Sequence, residues 1–248
     1  MTVELWTLVG MLAFAFVSMP VFAFSAASSS EDPHASQAHG KFLLGGFVKR
    51  WFMWFIGPVE RASLALGLGP TFYNLLGLSF GLLAGLLFVG GRIGLGGWAI
   101  LLGGIADVLD GRVARARGMA SPKGAFIDST LDRFAEVAAF IGLALWFRDS
   151  AAGLPLALIA MGGSLLVSYT RARGESLGVI CSKGVMQRAE RLLGLGLGAI
   201  VDPTVSALVG HEGPGVVLLW VLGVIAVGTV GTAVYRTLWI TARLPDAE

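Results

Sequence analysis

Seven apolar runs, each close to the length that crosses a bilayer, leave this chain few folds to choose from. They cover approximately 5–27, 71–91, 95–117, 124–147, 152–172, 185–201 and 215–240, and the short segments between them hold most of the Gly, Pro and charged residues. A hydrocarbon core of about 30 Å is crossed by about 20 helical residues. The pattern predicts an all-α, polytopic membrane bundle.

Composition agrees. Of 248 residues, 55% are hydrophobic and only 14% charged, too little polar surface to cover a water-soluble globule of this size. Glycine, at 36 residues, is about twice its usual share, which suits helices that approach closely in lipid. The net charge of +2 gives no bulk attraction to nucleic acid, so none is expected as a partner. One cysteine, Cys181, excludes an intrachain disulfide framework and a cysteine-rich zinc site. His34, His39 and His211 lie in polar stretches without metal-ligand spacing.

Three regions are expected. Residues 1–40 hold an N-terminal membrane helix and a polar linker, Ser28–Gly40. A secretory signal is the alternative for the first run, given small residues around Ala23, but Met1–Glu4 has no Lys or Arg and the apolar stretch is long for a signal. Residues 41–66 mix Lys41, Lys49, Arg50 and Arg61 with Phe and Trp, as in a helix lying in the headgroup layer, which Pro58 should break or bend. Residues 67–248 form the main membrane domain. If the runs alternate across the bilayer, one set of connections holds the basic residues of 41–61, 112–123, 171–191 and Arg243, and the other only Arg92 and Arg148. The positive-inside rule then puts the basic side in the cytoplasm, the N-terminus outside and the C-terminus inside.

Four aspartates interrupt the third and fourth runs: Asp107, Asp110, Asp128 and Asp132. Each unpaired charge at membrane depth costs about 2.5–3.5 kcal/mol on insertion scales, so such residues are functional by default. Asp107 and Asp110 are i, i+3 neighbours on a helix, and Asp128 and Asp132 are i, i+4, so each pair projects from one face. The short turn at 118–123 makes the two helices antiparallel neighbours and brings all four carboxylates together near the cytoplasmic surface. Packed carboxylates repel unless bridged, and oxygen ligands select hard divalent ions such as Mg²⁺ or Mn²⁺. Phosphoryl chemistry follows more naturally than a structural ion. Salt bridges to Arg112, Arg115 and Arg133 are the plainer alternative.

The stretch Asp107-Val-Leu-Asp110-Gly111-Arg-Val-Ala114-Arg115, continued by Gly124, Asp128 and Asp132, resembles the DxxDGxxAR…GxxxDxxxD signature of the CDP-alcohol phosphotransferase family. The resemblance implies a six-helix core over about 71–240, to which the helix at 5–27 is extra. It implies that an alcohol hydroxyl attacks the β-phosphorus of a CDP-linked lipid and CMP leaves. By position, Asp107, Asp110, Asp128 and Asp132 would hold two metal ions, Mg²⁺ or Mn²⁺, and Asp132 would also accept the hydroxyl's proton. Gly111, Ala114 and Gly124 would leave room for the CDP-lipid, and Arg115 would pair with phosphate oxygens. Ser121 stands where relatives often place a hydroxyl near the nucleotide. Pro70-Thr71-Phe72-Tyr73-Asn74 takes the place of a PNxxT-like element with hydroxyl and amide exchanged, making Thr71 and Asn74 candidates for the nucleotide. A homodimer is also implied. Gly77, Gly81 and Gly85 read as helix packing.

Arg171, Arg173, Lys183, Arg188 and Arg191 gather on the same side. The positive-inside rule alone would place cations there; the functional reading is a pocket for a phosphorylated acceptor. Ser168-Tyr169-Thr170-Arg171-Ala172-Arg173-Gly174-Glu175 and Gln187-Arg188-Ala189-Glu190-Arg191-Leu192 resemble the SYxxARAExxG…ERPERL segment of prokaryotic phosphatidylinositol phosphate synthases, with Gly174 for alanine and Ala189 for proline. The expected substrates are therefore CDP-diacylglycerol and a phosphorylated polyol, inositol phosphate, at the inner membrane. Glycerol 3-phosphate is the alternative acceptor. From other classes, an ion-coupled transporter or an aspartate-rich prenyltransferase would use the aspartates but leave the motif glycines, Arg115 and the later arginines without a task.

Overall fold

A computed structural model describes residues 3–26, 45–211 and 215–245. The linker 28–40 with His34 and His39, and residues 41–44 of the expected interfacial segment, lie outside them. All regular structure among the described residues is helical: α1 (Val3–Ala26), α2 (Gly45–Ala65), α3 (Pro70–Val89), α4 (Ile93–Ala116), α5 (Pro122–Trp146), α6 (Gly153–Ser176), α7 (Arg188–Leu208) and α8 (Val216–Thr241). The protein is an integral membrane protein. Among the described residues, six helices are long and apolar enough to cross a bilayer: α1, α3, α4, α6, α7 and α8. The remaining expected span, 124–147, folds as α5, whose Lys123, Asp128, Asp132 and Arg133 make its first half polar.

Helix α3 packs on α4 and α5, α4 on α7, α7 on α8, α8 on α6 and α6 on α5, so α3–α8 close into a ring. Its interior is filled by Phe88, Ile100, Phe140, Leu143, Leu218 and Leu222. The catalytically suggestive helices α4 and α5 do not rest mainly on each other, as their short connection leads one to expect. Both lean on α3, whose small residues let them in. A Cβ at Gly81 would run into Ala135 of α5, one at Gly85 into the Ala138 carbonyl, and one at Gly142 into Gly85 itself. Gly77 lies over the Gly103 carbonyl of α4, 3.7 Å from where its Cβ would be. Close backbone approach gives dispersion contact that lipid does not replace. It also leaves a gap between α4 and α5 on the side away from α3.

Local signals set the ends of α4 and α5. Gly118, at φ 63°, closes α4 in the left-handed region glycine adopts without a Cβ clash. Ser121 then caps α5, its Oγ accepting from the Gly124 N–H at 3.1 Å, with Pro122 at the first helical position. Helix α7 outruns the expected end at 201 because Asp202 is wholly buried rather than in a loop. Its carboxylate accepts from the backbone N–H of Gly215, Val217 and Leu218 at 2.6, 2.7 and 3.0 Å, capping α8 from a neighbouring helix.

Helix α2 runs through Pro58 without interruption. Proline removes one helical hydrogen bond, and contacts with the bundle hold the helix. Glu60 meets Arg112 of α4 at 2.5 Å, Ser63 hydrogen-bonds Tyr73 of α3, and Ile56 is buried. Arg117 adds two bonds to the carbonyls of Leu64 and Gly67, both at 3.2 Å. Trp51 of α2 donates to Ser18 of α1 at 3.0 Å.

Candidate active site

The gap between α4 and α5 is where the expected carboxylates converge. Asp107 and Asp110 descend from α4, one turn apart, and Asp128 from α5; the three offer oxygens that all lie within 4.8 Å of one another. Asp110 is 5% exposed and its Oδ2 is buried with no hydrogen-bond partner. A buried carboxylate oxygen left without a donor is costly, and a group of three carboxylates at this separation suits a hard divalent cation. The donor set fits such an ion.

Asp132 stands one helical turn beyond Asp128 and is joined to the group through a cation from α7. Arg188 places Nη1 2.7 Å from Asp107 and Nη2 2.6 Å from Asp132, so one guanidinium spans both helices. Arg112, Arg115 and Arg133 do not make these pairs; Arg112 is committed to Glu60. One rung deeper, Arg191 of α7 meets Glu136 of α5 through Nε at 2.7 Å and Nη2 at 3.2 Å, and donates to the Met186 carbonyl at 3.2 Å. Arg191 is 2% exposed and faces the bundle interior. Asp132 and Glu136 are i, i+4 on α5, and Arg188 and Arg191 are i, i+3 on α7, which makes the two ion pairs successive rungs between the same helices. A cavity lined by Gly77, Gly104, Ala135, Glu136, Arg188 and Arg191 lies beneath them.

The small motif positions Gly111 and Gly124 have only local neighbours within reach of a Cβ. A Cβ on Gly111 would sit 3.2 Å from Nη1 of Arg115, and one on Gly124 would sit 3.2 Å from the Ser121 hydroxyl. Ala114 is half-buried and Arg115 is exposed at the last turn of α4. At the start of α3, Thr71 is exposed, whereas Asn74 is half-buried with an unpartnered Oδ1.

The remaining cations sit on the last turns of α6 and on the α6–α7 connection. Arg171 is exposed and paired with Glu175 at 2.8 Å, Arg173 is exposed, and Lys183 lies over the Trp239 ring at 5.9 Å. Gly174, where the resemblance has alanine, is buried, and a Cβ there would meet Ile240 at 2.7 Å. Cys181 is buried in that connection. Four residues escaped sequence reasoning: Glu136, Asp202, Thr232 and Arg236. Glu136 and Arg236 share one signal, an ionisable residue inside an apolar run; Asp202 stands just past the end of one.

Comparison with known proteins adds three findings. The CDP-alcohol phosphatidyltransferase family profile matches residues 70–201. The phosphatidylinositol phosphate synthase of Streptomyces avermitilis is 33% identical over 228 residues, covering 89% of this chain and 91% of that protein. Two crystal structures of Mycobacterium tuberculosis phosphatidylinositol phosphate synthase superpose with a TM-score of 0.64 at 32% identity over 74% of this chain. One has CDP-DAG bound and covers 92% of that chain; the other is in complex with manganese and citrate and covers 88%.

Proposed function

The chain belongs to the CDP-alcohol phosphatidyltransferase family, and from that membership we propose that it moves a phosphatidyl group from CDP-diacylglycerol to a hydroxyl of inositol phosphate. The hydroxyl oxygen bonds to the β-phosphorus, the bond from that phosphorus to the CMP oxygen breaks, and CMP leaves. The observation that carries this reading is the convergence of Asp107, Asp110 and Asp128 from two helices, within 4.8 Å, with a partnerless buried oxygen on Asp110.

Asp107, Asp110, Asp128 and Asp132 would hold two divalent cations, Mg²⁺ or Mn²⁺, which supply charge neutralisation for the diphosphate when bound. Asp132 accepts the proton of the attacking hydroxyl, a role open to a carboxylate held near the reacting oxygen. Arg188, bonded to Asp132 and Asp107, orients that carboxylate and offers its charge to the acceptor phosphate. Arg115 takes phosphate oxygens of the CDP-lipid with its planar fork. Gly111, Ala114 and Gly124 leave the nucleotide its space, and Thr71, Asn74 and Ser121 line its approach. Arg171, Arg173 and Lys183 draw the phosphorylated acceptor, while Arg191 serves the pocket by holding α7 through Glu136.

Residues 67–248 make up the catalytic domain, with 1–40 and 41–66 as anchoring segments. The protein works as a homodimer in the inner membrane, its aspartates facing the cytoplasm, where Lys and Arg crowd the connections at that end. The test is to offer the protein CDP-diacylglycerol with a panel of alcohols and read the lipid product by mass. Inositol phosphate should give phosphatidylinositol phosphate and CMP, dependent on a divalent cation. Product only with glycerol 3-phosphate would reassign the acceptor, and no CMP with any alcohol would end the reading.

A further inference from the structure

The arginine inside the aspartate motif, Arg112, turns away from the chemistry. At 3.6 residues per turn, Ile105, Leu109 and Arg112 form one stripe of α4, on the side turned from Asp107 and Asp110. Helix α2 lies against that stripe. Ile56 of α2 is buried in one cluster with Leu109, Val113 and Tyr73, and Phe52 and Ile105 pack around it. Arg112 donates through Nε to Glu60 at 2.5 Å and through Nη1 to the Met53 sulfur at 3.2 Å. The two charged side chains are 12% and 14% exposed, sheltered enough for their pairing to count where a surface pair would not. Arg117 ties the end of the same helix to the carbonyls of Leu64 and Gly67.

These ties come from outside the family profile, which begins at residue 70. They act on the rotation of α4 about its own axis. Side chains reach about 5–6 Å from a helix axis, so a turn of about 20° would move a carboxylate ~2 Å. The oxygens of Asp107, Asp110 and Asp128 lie within 4.8 Å of one another, and a displacement of that size would scatter them. A small hard cation tolerates little departure from its ligand distances.

We propose that Glu60 and Arg112 are a positioning pair: docked on the back of α4, α2 fixes the rotation of that helix and so holds Asp107 and Asp110 in register with Asp128 for a divalent cation. The proposal rests on the reading of those aspartates as cation ligands. Helix α2 is then a working part of the site as well as an anchor.

The experiment measures Mn²⁺ binding to the full-length protein in phosphatidylcholine vesicles by electron paramagnetic resonance, without substrate. Glu60→Ala and Arg112→Ala should each weaken binding about tenfold, the scale of one lost charge-assisted hydrogen bond. The shared sign is the signature. Charge acting through space would weaken Mn²⁺ binding when Glu60 is removed and tighten it when Arg112 is removed, so opposite signs, or no change, overturn the proposal. Glu60→Arg combined with Arg112→Glu exchanges the partners and should bring the affinity back to within a few fold of the unaltered protein; no recovery overturns the pairing. Asp202→Ala, which loosens the far end of α7, should leave Mn²⁺ affinity unaltered, and an equal loss there would make the effect one of general stability and overturn the proposal. Where Glu60→Ala does not accumulate in membranes, Glu60→Gln decides, with a loss of a few fold expected. Failure of the unaltered protein to bind Mn²⁺ would overturn the reading of the aspartates, and the proposal with it.

Discussion

Glu136 and Arg191 face each other inside the ring of helices with both partners almost wholly buried, joined by two hydrogen bonds of 2.7 and 3.2 Å. Nothing in α5 or α7 alone requires them to meet. Their pairing sets the register of α7 against α5, and one turn nearer the surface that register delivers Arg188 to Asp132.

Breaking this pair should be severe. Glu136→Ala leaves a buried guanidinium without its counter-charge and should cost about 3–5 kcal/mol. Replacing both partners with apolar residues, Glu136→Leu with Arg191→Met, should recover much of that loss. Thermal unfolding in detergent measures both; equal losses for the single and double variants would show that the pair is not the source of the effect.

Asp132→Asn keeps an oxygen near Arg188 but cannot take a proton. Turnover should fall by about 10²–10⁴-fold, while binding of CDP-diacylglycerol persists. Single-turnover CMP release and equilibrium binding, measured side by side, separate the two, and near-normal turnover would rule out the base role.

Chelation should silence the enzyme. Removing divalent ions with EDTA is expected to stop CMP release, and Mg²⁺ or Mn²⁺ to restore it. Asp110→Ala, which deletes the buried carboxylate of the trio, should weaken Mn²⁺ binding followed by electron paramagnetic resonance. Unaltered Mn²⁺ affinity in that variant would move the ion elsewhere.

Asp202 offers a test of stability apart from chemistry. Asp202→Ala strips three N–H groups of their acceptor and should cost about 2–3 kcal/mol, with KM for both substrates intact in protein that remains folded. Asp202→Asn retains one carbonyl oxygen and should lose less. A changed KM would contradict a purely architectural role.

The four aspartates were legible because a carboxylate in an apolar run is conspicuous and helical spacing fixes which pairs share a face. Which helices touch was not. The short turn after Ala116 implies that α4 and α5 lie side by side, and only the glycine contacts of Gly81, Gly85 and Gly142 reveal α3 between their backs. Charge and location make Arg191 a candidate for the acceptor's phosphate, but they do not disclose its partner Glu136, which lies 55 residues earlier on a helix that the pattern alone does not set across from it. Asp202 and Pro203 look like the end of a run, since a charge and a proline usually are. The helix continues because the aspartate's partners come from α8. Arg236 hid for the same reason: one cation in a 26-residue apolar helix changes no periodicity.

Helix α5 carries two of the four motif aspartates, yet it is too polar to rank with the six described helices apolar enough to cross a bilayer. Offered alone to the insertion machinery, such a segment is rejected, since each charge near the middle weighs against entry. During synthesis α3 and α4 emerge before it, with the glycine face of α3 and the backbone around Gly103 already present to receive a partner. Delivery of α5 into lipid is therefore an act of the group, and a defect in α3 far from any substrate would surface as a failure of biogenesis before it registered as a loss of catalysis.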